Sequence, residues 1–303
     1  MQDITLLDGG LGQEIIRRSH ADKAHPLWSV KTMFDEPDVI KQVHKDFIAA
    51  GAKVLSVNNY TATPTRMLRN DMADKFEQAH ETAIQLLKSA ISESDKSADE
   101  VTIAGCLPPL AASYVADAAL DYQPSYDEYC RLIEVQKDHV DVILVETMSN
   151  SQETFAAVDA LTSFGEKTYI SLTLSDDLTN CLRSGEALEA VIERLSEKNI
   201  DAVMINCSFP EAISKALPIL AQSGLRFGAY ANGFTSISAL QPGGTVDGLQ
   251  ARTDLPPETY ASHALSWIAA GATIIGGCCE ITPSHIAYLA LAMHNHGYRP
   301  SQL

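Results

Sequence analysis

Two segments near opposite ends of the chain follow one plan. Residues 47–57 and 267–277 each run from an amphipathic helix through a glycine into an apolar strand, and both carry Ile-Ala-Ala-Gly-Ala in register at 48–52 and 268–272. A glycine just past the last helical turn supplies the left-handed residue that ends it. In the first copy Pro37 stands near the helix start, and Val39, Val43 and Phe47 share one face at i, i+4 and i+8. Between the copies the plan recurs: apolar strand candidates fall at 4–8, 54–58, 101–105, 142–146, 169–174, 202–207, 227–231 and 273–278. Most are nearly all apolar, as strands buried on both faces should be. Helical patterns at 75–92, 126–139, 151–164, 187–198 and 211–222 fill most of the gaps. Eight strands alternating with helices predict an α/β fold, a (β/α)8 TIM barrel forming a single domain over 1–303. An open doubly wound sheet competes, but it needs a glycine-rich phosphate turn after an early strand. Asp8-Gly9-Gly10-Leu11-Gly12 is only half of one.

Composition narrows the classes of function. With 46% hydrophobic and 20% charged residues over 303 positions, the chain can build one large core and is not broadly disordered. A net charge of −17 argues against nucleic acid and anionic membrane surfaces as partners. No run of 18 apolar residues offers a membrane span. Six cysteines, with no secretory apolar stretch after Met1, predict a reducing, cytoplasmic setting where free thiols and metal thiolates persist.

The most specific chemistry closes the last strand, in Ile274-Ile275-Gly276-Gly277-Cys278-Cys279-Glu280. Adjacent cysteines are awkward partners for one disulfide, because the bridge strains the peptide between them. Two thiolates on one turn do reach a single soft metal, and glycines before them allow close approach. Val203-Met204-Ile205-Asn206-Cys207 is a second strand ending in cysteine. Three thiolates at the same end of two parallel strands make a three-cysteine zinc site with its fourth position open, the arrangement of a catalytic metal. None of the nine histidines ends a predicted strand, which favours an all-thiolate site.

Other residues gather at the same rim if the barrel is right. Glu146 closes the apolar run Val142-Ile143-Leu144-Val145 and reads as a pocket acid rather than a cap or a solvated carboxylate. Cys106 reads as small core filler, and Cys130 and Cys181 as inert thiols. Taken alone Cys207 would read the same way; the Cys278-Cys279 pair raises it. Two longer connections, 107–125 and 232–257, the second containing Pro242-Gly243-Gly244, follow strand ends and read equally as lids or as plain insertions.

The Gly-Gly-Cys-Cys-Glu turn, the upstream Ile205-Asn206-Cys207, the opening Leu6-Leu7-Asp8-Gly9-Gly10 and Val145-Glu146-Thr147 together resemble the zinc-dependent homocysteine S-methyltransferases. That family includes the S-methylmethionine-dependent enzymes, betaine–homocysteine methyltransferase and the homocysteine module of cobalamin-dependent methionine synthase. The likeness covers essentially the whole chain, and Leu27-Trp28-Ser29 and Asn59-Tyr60-Thr61-Ala62-Thr63 resemble early loops of the S-methylmethionine enzymes. Two features depart from the pattern. Glu280 stands where many members carry glycine or a basic residue, and 106–123 does not match the S-methylmethionine form.

The resemblance implies Zn2+ on Cys207, Cys278 and Cys279. It implies that Glu146, the catalytic-site carboxylate, holds the amino group of homocysteine, with backbone near Asp8, Gly9 and Gly10 at the amino-acid end. Trp28, Asn59 and Tyr60 would lie toward the methyl donor. The partners implied are a small thiol acceptor and a small sulfonium or ammonium donor, with methionine as product. A metal-bound thiolate suits this chemistry, since a free alkyl thiol is mostly protonated near neutral pH. One alternative is another zinc–thiolate barrel enzyme, acting on a different thiol or activating water with Glu146 as general base. Another is non-catalytic, with the cysteines holding a structural zinc or simply packing.

Overall fold

A computed structural model describes residues 1–20, 25–96, 100–237 and 249–303. The connection 232–257 therefore falls partly outside the described residues, Pro242-Gly243-Gly244 included. The strands are β1 (Gln2–Leu6), β2 (Val54–Ser56), β3 (Thr102–Leu107), β4 (Val142–Met148), β5 (Tyr169–Leu172), β6 (Ala202–Asn206), β7 (Phe227–Tyr230), β8 (Ile274–Ile275) and β9 (Tyr298–Ser301). The helices are α1 (Leu11–Arg18), α2 (Trp28–Asp35), α3 (Pro37–Ala49), α4 (Pro64–Arg69), α5 (Phe76–Ser92), α6 (Tyr122–Glu134), α7 (Ser151–Phe164), α8 (Leu188–Ser196), α9 (Pro210–Gln222), α10 (Pro257–Ala269) and α11 (Pro283–Asn295). No helix among the described residues is long and apolar enough to cross a membrane.

All strand pairs are parallel, in the order β2-β3-β4-β5-β6-β7-β8-β1-β9. The sheet closes on itself. Leu7 bridges Val54 in parallel, Asp8 N–H donates to Val54 O at 3.0 Å, and Lys53 N–H donates to Leu6 O at 2.8 Å. Strand β1 thus sits between β8 and β2, which completes the eight-stranded barrel. Strand β9 pairs with Gln2–Thr5. Gln2, Leu6 and Asp8 present their backbone groups to one edge, so β9 fills the lower part of the seam that β2 takes over above it.

Period-two alternation sorts the strand residues into two cores. Val142, Leu144, Ala202, Met204, Val54 and Ile274 pack together inside the barrel. Ile143, Val145, Val203, Ile205 and Ile275 face the helices. The next residues of the inner series are Glu146 after Val142 and Leu144, Asn206 after Ala202 and Met204, and Ser56 after Val54. That places polar groups over the lumen at the C-terminal mouth.

Local signals account for the helix ends. Pro37, Pro64, Pro210, Pro257 and Pro283 stand at helix N-termini. Asn150 caps α7 by accepting from Glu153 N–H at 2.8 Å. The repeated Ala-Gly-Ala turns behave as expected, with Gly51 at φ 100° and Gly271 at φ 110°.

One core residue carries a pH dependence. His44 on α3 is fully buried, neither ring nitrogen has a hydrogen-bond partner, and burial lowers its pKa to about 4. The unfolded chain, with an imidazole pKa of about 6.5, binds this proton more readily than the native state. Stability from this group is complete above that value and is lost as pH falls toward 4. His44→Phe is expected to reduce the drop in unfolding free energy between pH 7 and pH 5 by about 2 kcal/mol, measured by urea titration at both pH values.

Candidate active site

The site is built where the first and last strands of the barrel meet. Its foundation is backbone packed on backbone. Gly277 N–H donates to Asp8 O at 2.8 Å and Gly10 N–H donates to Ile281 O at 2.7 Å. A Cβ on Gly10 would stand 2.7 Å from Cys278 O and 3.0 Å from Glu280 N; one on Gly9 would stand 2.3 Å from Ile281 O. A Cβ on Gly276 would meet Leu7 Cβ at 2.5 Å, and one on Gly277 would meet Ile281 Cγ2 at 2.3 Å. Gly9 and Gly10 are needed because main chain lies where their Cβ would go, and Gly276 and Gly277 because the side chains of Leu7 and Ile281 do.

This docking presents Cys278 and Cys279 beside Cys207. The three Sγ atoms lie within 4.8 Å of one another, Cys207 and Cys279 being 3.5 Å apart, and all three cysteines are free thiols. Sulfurs sharing one tetrahedral zinc stand about 3.8 Å apart for a Zn–S bond of about 2.3 Å, so the cluster already has the span of a three-cysteine metal site. Its electrostatics point the same way. Burial raises the Cys207 pKa, but hydrogen bonds from Cys278, Cys279 and Tyr114 outweigh it and hold that thiol well below its ordinary value. Hydrogen bonding to Cys207 drives Cys278 and Cys279 well above theirs. One thiolate excludes the next two, and a divalent cation removes that exclusion.

Cys207 is held in a costly conformation. Its φ is 44°, in the left-handed region. Its N–H donates to Tyr230 O at 3.0 Å, and its carbonyl accepts from Asn232 Nδ2 at 2.7 Å and Thr173 Oγ1 at 3.2 Å. Seven non-glycine residues have positive φ among those described, and four of them, Tyr114, Thr147, Cys207 and Glu280, belong to or adjoin this site. Thr147 is fixed by a reciprocal pair: its N–H donates to Asn206 Oδ1 and its Oγ1 accepts from Asn206 Nδ2, both at 2.9 Å. Glu280 is ion-paired with Arg17, which also meets Glu14 at 2.6 Å. The carboxylate that departs from the family pattern is thus neutralised on the spot.

The thiols open onto a cavity of about 240 Å3 whose walls include Asp8, Trp28, Tyr60, Glu146 and Tyr230. Two carboxyl groups face it, Asp8 buried and Glu146 half-buried. Burial, opposed by hydrogen bonds from Ser56 and aided by the charge of Glu146, raises Asp8 to about 8. Ser56 N–H donates to Asp8 at 2.8 Å. Burial also raises Glu146, against hydrogen bonds from the Cys106 thiol at 3.1 Å and the Tyr230 hydroxyl at 3.0 Å. Burial makes each acid resist ionisation, and an ammonium group placed between them would reverse that.

Gly9, Gly10, Trp28 and Tyr60 also line the cavity, but Asn59 does not join them. It is 1% exposed, and its amide nitrogen donates to Gln136 Oε1 at 2.6 Å and lies 3.3 Å from His80 Nδ1. It belongs to a polar network behind the wall, and its neighbour Asn58 is the residue at the cavity. The thiol of Cys106 is turned to Glu146 rather than into apolar packing. Among the cavity residues that escaped sequence reasoning are Tyr114 and Arg66. Tyr114 places its hydroxyl 2.8 Å from Cys207 Sγ and 3.7 Å from Cys279 Sγ; Arg66 comes from the short helix α4. Tyr114 depends on the path of the connection after β3 and Arg66 on that after β2, and no local pattern announces either.

The chain is similar to known proteins over nearly its whole length. A model of the homocysteine S-methyltransferase family matches residues 5–293. The homocysteine S-methyltransferase of Escherichia coli (strain K12) is 29% identical over 307 residues, covering 95% of this chain and 94% of that protein. The selenocysteine Se-methyltransferase of Brassica oleracea var. italica is 25% identical over 324 residues, covering 93% and 86%. The crystal structure of the homocysteine methyltransferase MmuM from Escherichia coli in its metallated form matches with a TM-score of 0.77 at 25% identity, covering 95% of this chain and 96% of that one.

Because a methyl group at Gly10 would push the two turns apart, Gly10→Ala is expected to cost about 1–3 kcal/mol and to lower bound metal well below that of the parent, read by elemental analysis. Gly12→Ala is the control: its Cβ would meet only Trp28 ring atoms, the nearest at 3.4 Å, and metal content should stay at the parent level.

Proposed function

This chain belongs to the homocysteine S-methyltransferase family, and from that premise we propose that its cavity transfers a methyl group from a small onium donor to the thiol of homocysteine, giving methionine. One observation carries the reading: three free thiols converge within 4.8 Å on a cavity that also holds the carboxyl groups of Asp8 and Glu146, both raised by burial. The family is zinc-dependent, and Cys207, Cys278 and Cys279 are the residues that would hold the metal here. When bound, zinc supplies the Lewis acidity that keeps an alkyl thiol deprotonated at neutral pH, and an all-thiolate shell leaves that sulfur electron-rich.

The protein's own groups do the rest. Glu146 and Asp8 receive the acceptor's ammonium group, and the Tyr230 hydroxyl steadies Glu146 at 3.0 Å. Backbone around Gly9 and Gly10 lies at the amino-acid end. Trp28 and Tyr60 offer aromatic faces to a positively charged donor. In the transfer, the donor's bond to its methyl carbon breaks and the electron pair stays on the departing sulfide or tertiary amine. A pair on the acceptor sulfur forms the new S–CH3 bond. The acceptor's thiol proton has already gone to solvent, so no general base is required. Holding both partners in line is where most of the acceleration arises. Thiols and acids facing a small-molecule cavity fit neither nucleic acid nor a membrane as partner.

With a panel of sulfonium and betaine donors, homocysteine is expected to yield methionine, and 1,10-phenanthroline to stop it; selenocysteine tested alongside reads the acceptor preference. Absence of methionine from every donor would refute the assignment. Cys278→Ala should lose metal and turnover while its circular dichroism matches the parent. A protein that instead melts far lower would indicate a structural metal. Glu146→Gln is expected to raise KM for homocysteine about 10- to 100-fold. As pH rises through about 8, Asp8 ionises and the ammonium group binds more tightly; in Asp8→Asn the gain in homocysteine affinity between pH 6.5 and 8.5 should shrink.

A further inference from the structure

Cys207 is braced twice, at its sulfur and at its carbonyl, and both braces end on one residue of the connection after β5. At the sulfur, the Tyr114 hydroxyl lies 2.8 Å from Sγ. At the carbonyl, Thr173 Oγ1 donates at 3.2 Å. Arg183 touches both braces. Its guanidinium carbon stands 5.1 Å from the centroid of the Tyr114 ring, and its Nε donates to Thr173 Oγ1 at 3.2 Å. Its Nη2 donates to Asp176 Oδ1 at 3.0 Å, which fixes the direction of the fork. The Arg183 side chain is 10% exposed and does not line the cavity. Any effect it has on the chemistry there must pass through these contacts.

The hydroxyl–sulfur contact needs such a support. Tyr114 has φ 66° and Cys207 has φ 44°, so each end rests on a backbone conformation unfavourable for a residue with a side chain. Tyr114 comes from the connection between β3 and α6, Cys207 from the end of β6, and Arg183 from the connection between β5 and α8. A guanidinium over an aromatic face is attracted to it. Arginine suits the position better than lysine, because its plane stacks on the ring while its N–H groups still donate at the edge. A hydroxyl that donates to a metal-bound thiolate draws electron density from that sulfur. Groups just outside a metal's ligands set both its affinity and its electronic character in this way.

Resting on the metal site of the methyl-transfer reading, we propose that Arg183 is a positioning residue for the metal-binding thiolates: it seats Tyr114 so that the phenol donates a hydrogen bond to Cys207 Sγ and lowers the electron density of that sulfur. The test uses the full-length protein loaded with Co(II), whose thiolate-to-metal charge-transfer absorption in the near ultraviolet reads the electron density on the sulfurs. Tyr114→Phe should move the band to longer wavelength, because a sulfur that loses a hydrogen bond gives up an electron more readily. Arg183→Gln should move it the same way and weaken Co(II) binding about 10- to 100-fold in competition with a chelator. Arg183→Lys should restore part of both. In a Tyr114→Phe background, Arg183→Gln should move the band no further.

A parent-like band in Arg183→Gln, with only the melting temperature lowered, would mean that Arg183 merely holds the 174–187 turn together, and would overturn the proposal. So would an equal shift with and without the Tyr114 hydroxyl, because Arg183 would then act by another route. An unmoved band in Tyr114→Phe overturns it as well. Should Arg183→Gln fail to fold, Arg183→Lys carries the test, its band falling between those of the parent and Tyr114→Phe. If the parent itself takes up no Co(II), the metal site fails and the proposal falls with it. If the bands move as stated while zinc-loaded parent gives methionine from no donor, it is the methyl-transfer reading alone that fails.

Discussion

The contact between the turn after β1 and the turn after β8 is the constraint on which the rest of this molecule depends. Two peptide chains meet there without side chains between them, joined by Gly277 N–H to Asp8 O and Gly10 N–H to Ile281 O at 2.8 and 2.7 Å. The same contact closes the barrel and brings Asp8 to the cavity that Cys278 and Cys279 share. Stability and chemistry therefore share one seam. Tyr260 reinforces it from behind, its hydroxyl donating to Gly276 O and accepting from Ala231 N–H at 3.2 Å.

Around that seam the protein tolerates local cost for the sake of position. Cys207, Thr147, Tyr114 and Glu280 take a backbone conformation unfavourable for residues with a side chain, and neighbouring hydrogen bonds hold Cys207 and Thr147 there. The charges are also left unbalanced. Asp8, Glu146 and three thiols share one cavity, and burial raises both acids. Such an interior is poorly paired by itself, and a cation bound there would balance it. A net charge of −17 would already favour cationic ligands from a distance.

The barrel and the metal cluster were largely legible in the sequence, and the reasons are physical. Strands buried on both faces leave long apolar runs, so all eight barrel strands were found; most of their ends shifted by one to three residues. Adjacent cysteines behind paired glycines have few explanations besides a metal. Strand β9 was not anticipated, because Tyr298-Arg299-Pro300-Ser301 has no apolar pattern and exists through its pairing with β1. Asn59 shows the limit of reading side-chain direction in an irregular turn, where period two no longer holds and one residue decides between cavity and wall. Tyr114 and Arg66 were hidden for a related reason: Tyr114 reaches the site through the fold of 108–121, a connection with only a single short 3-10 turn, and Arg66 through the short helix α4 in the connection after β2.

The placement of β1 has a consequence for how the molecule comes into being. Strand β1 leaves the ribosome first, yet one of the neighbours it needs, β8, begins at Ile274. At ordinary rates of translation that wait is on the order of tens of seconds. Until then β1 has only β2 of its two barrel neighbours beside it, and Cys207 waits for Cys278 and Cys279. Sealing the cylinder and gaining the capacity to capture an ion therefore both await the same last strand.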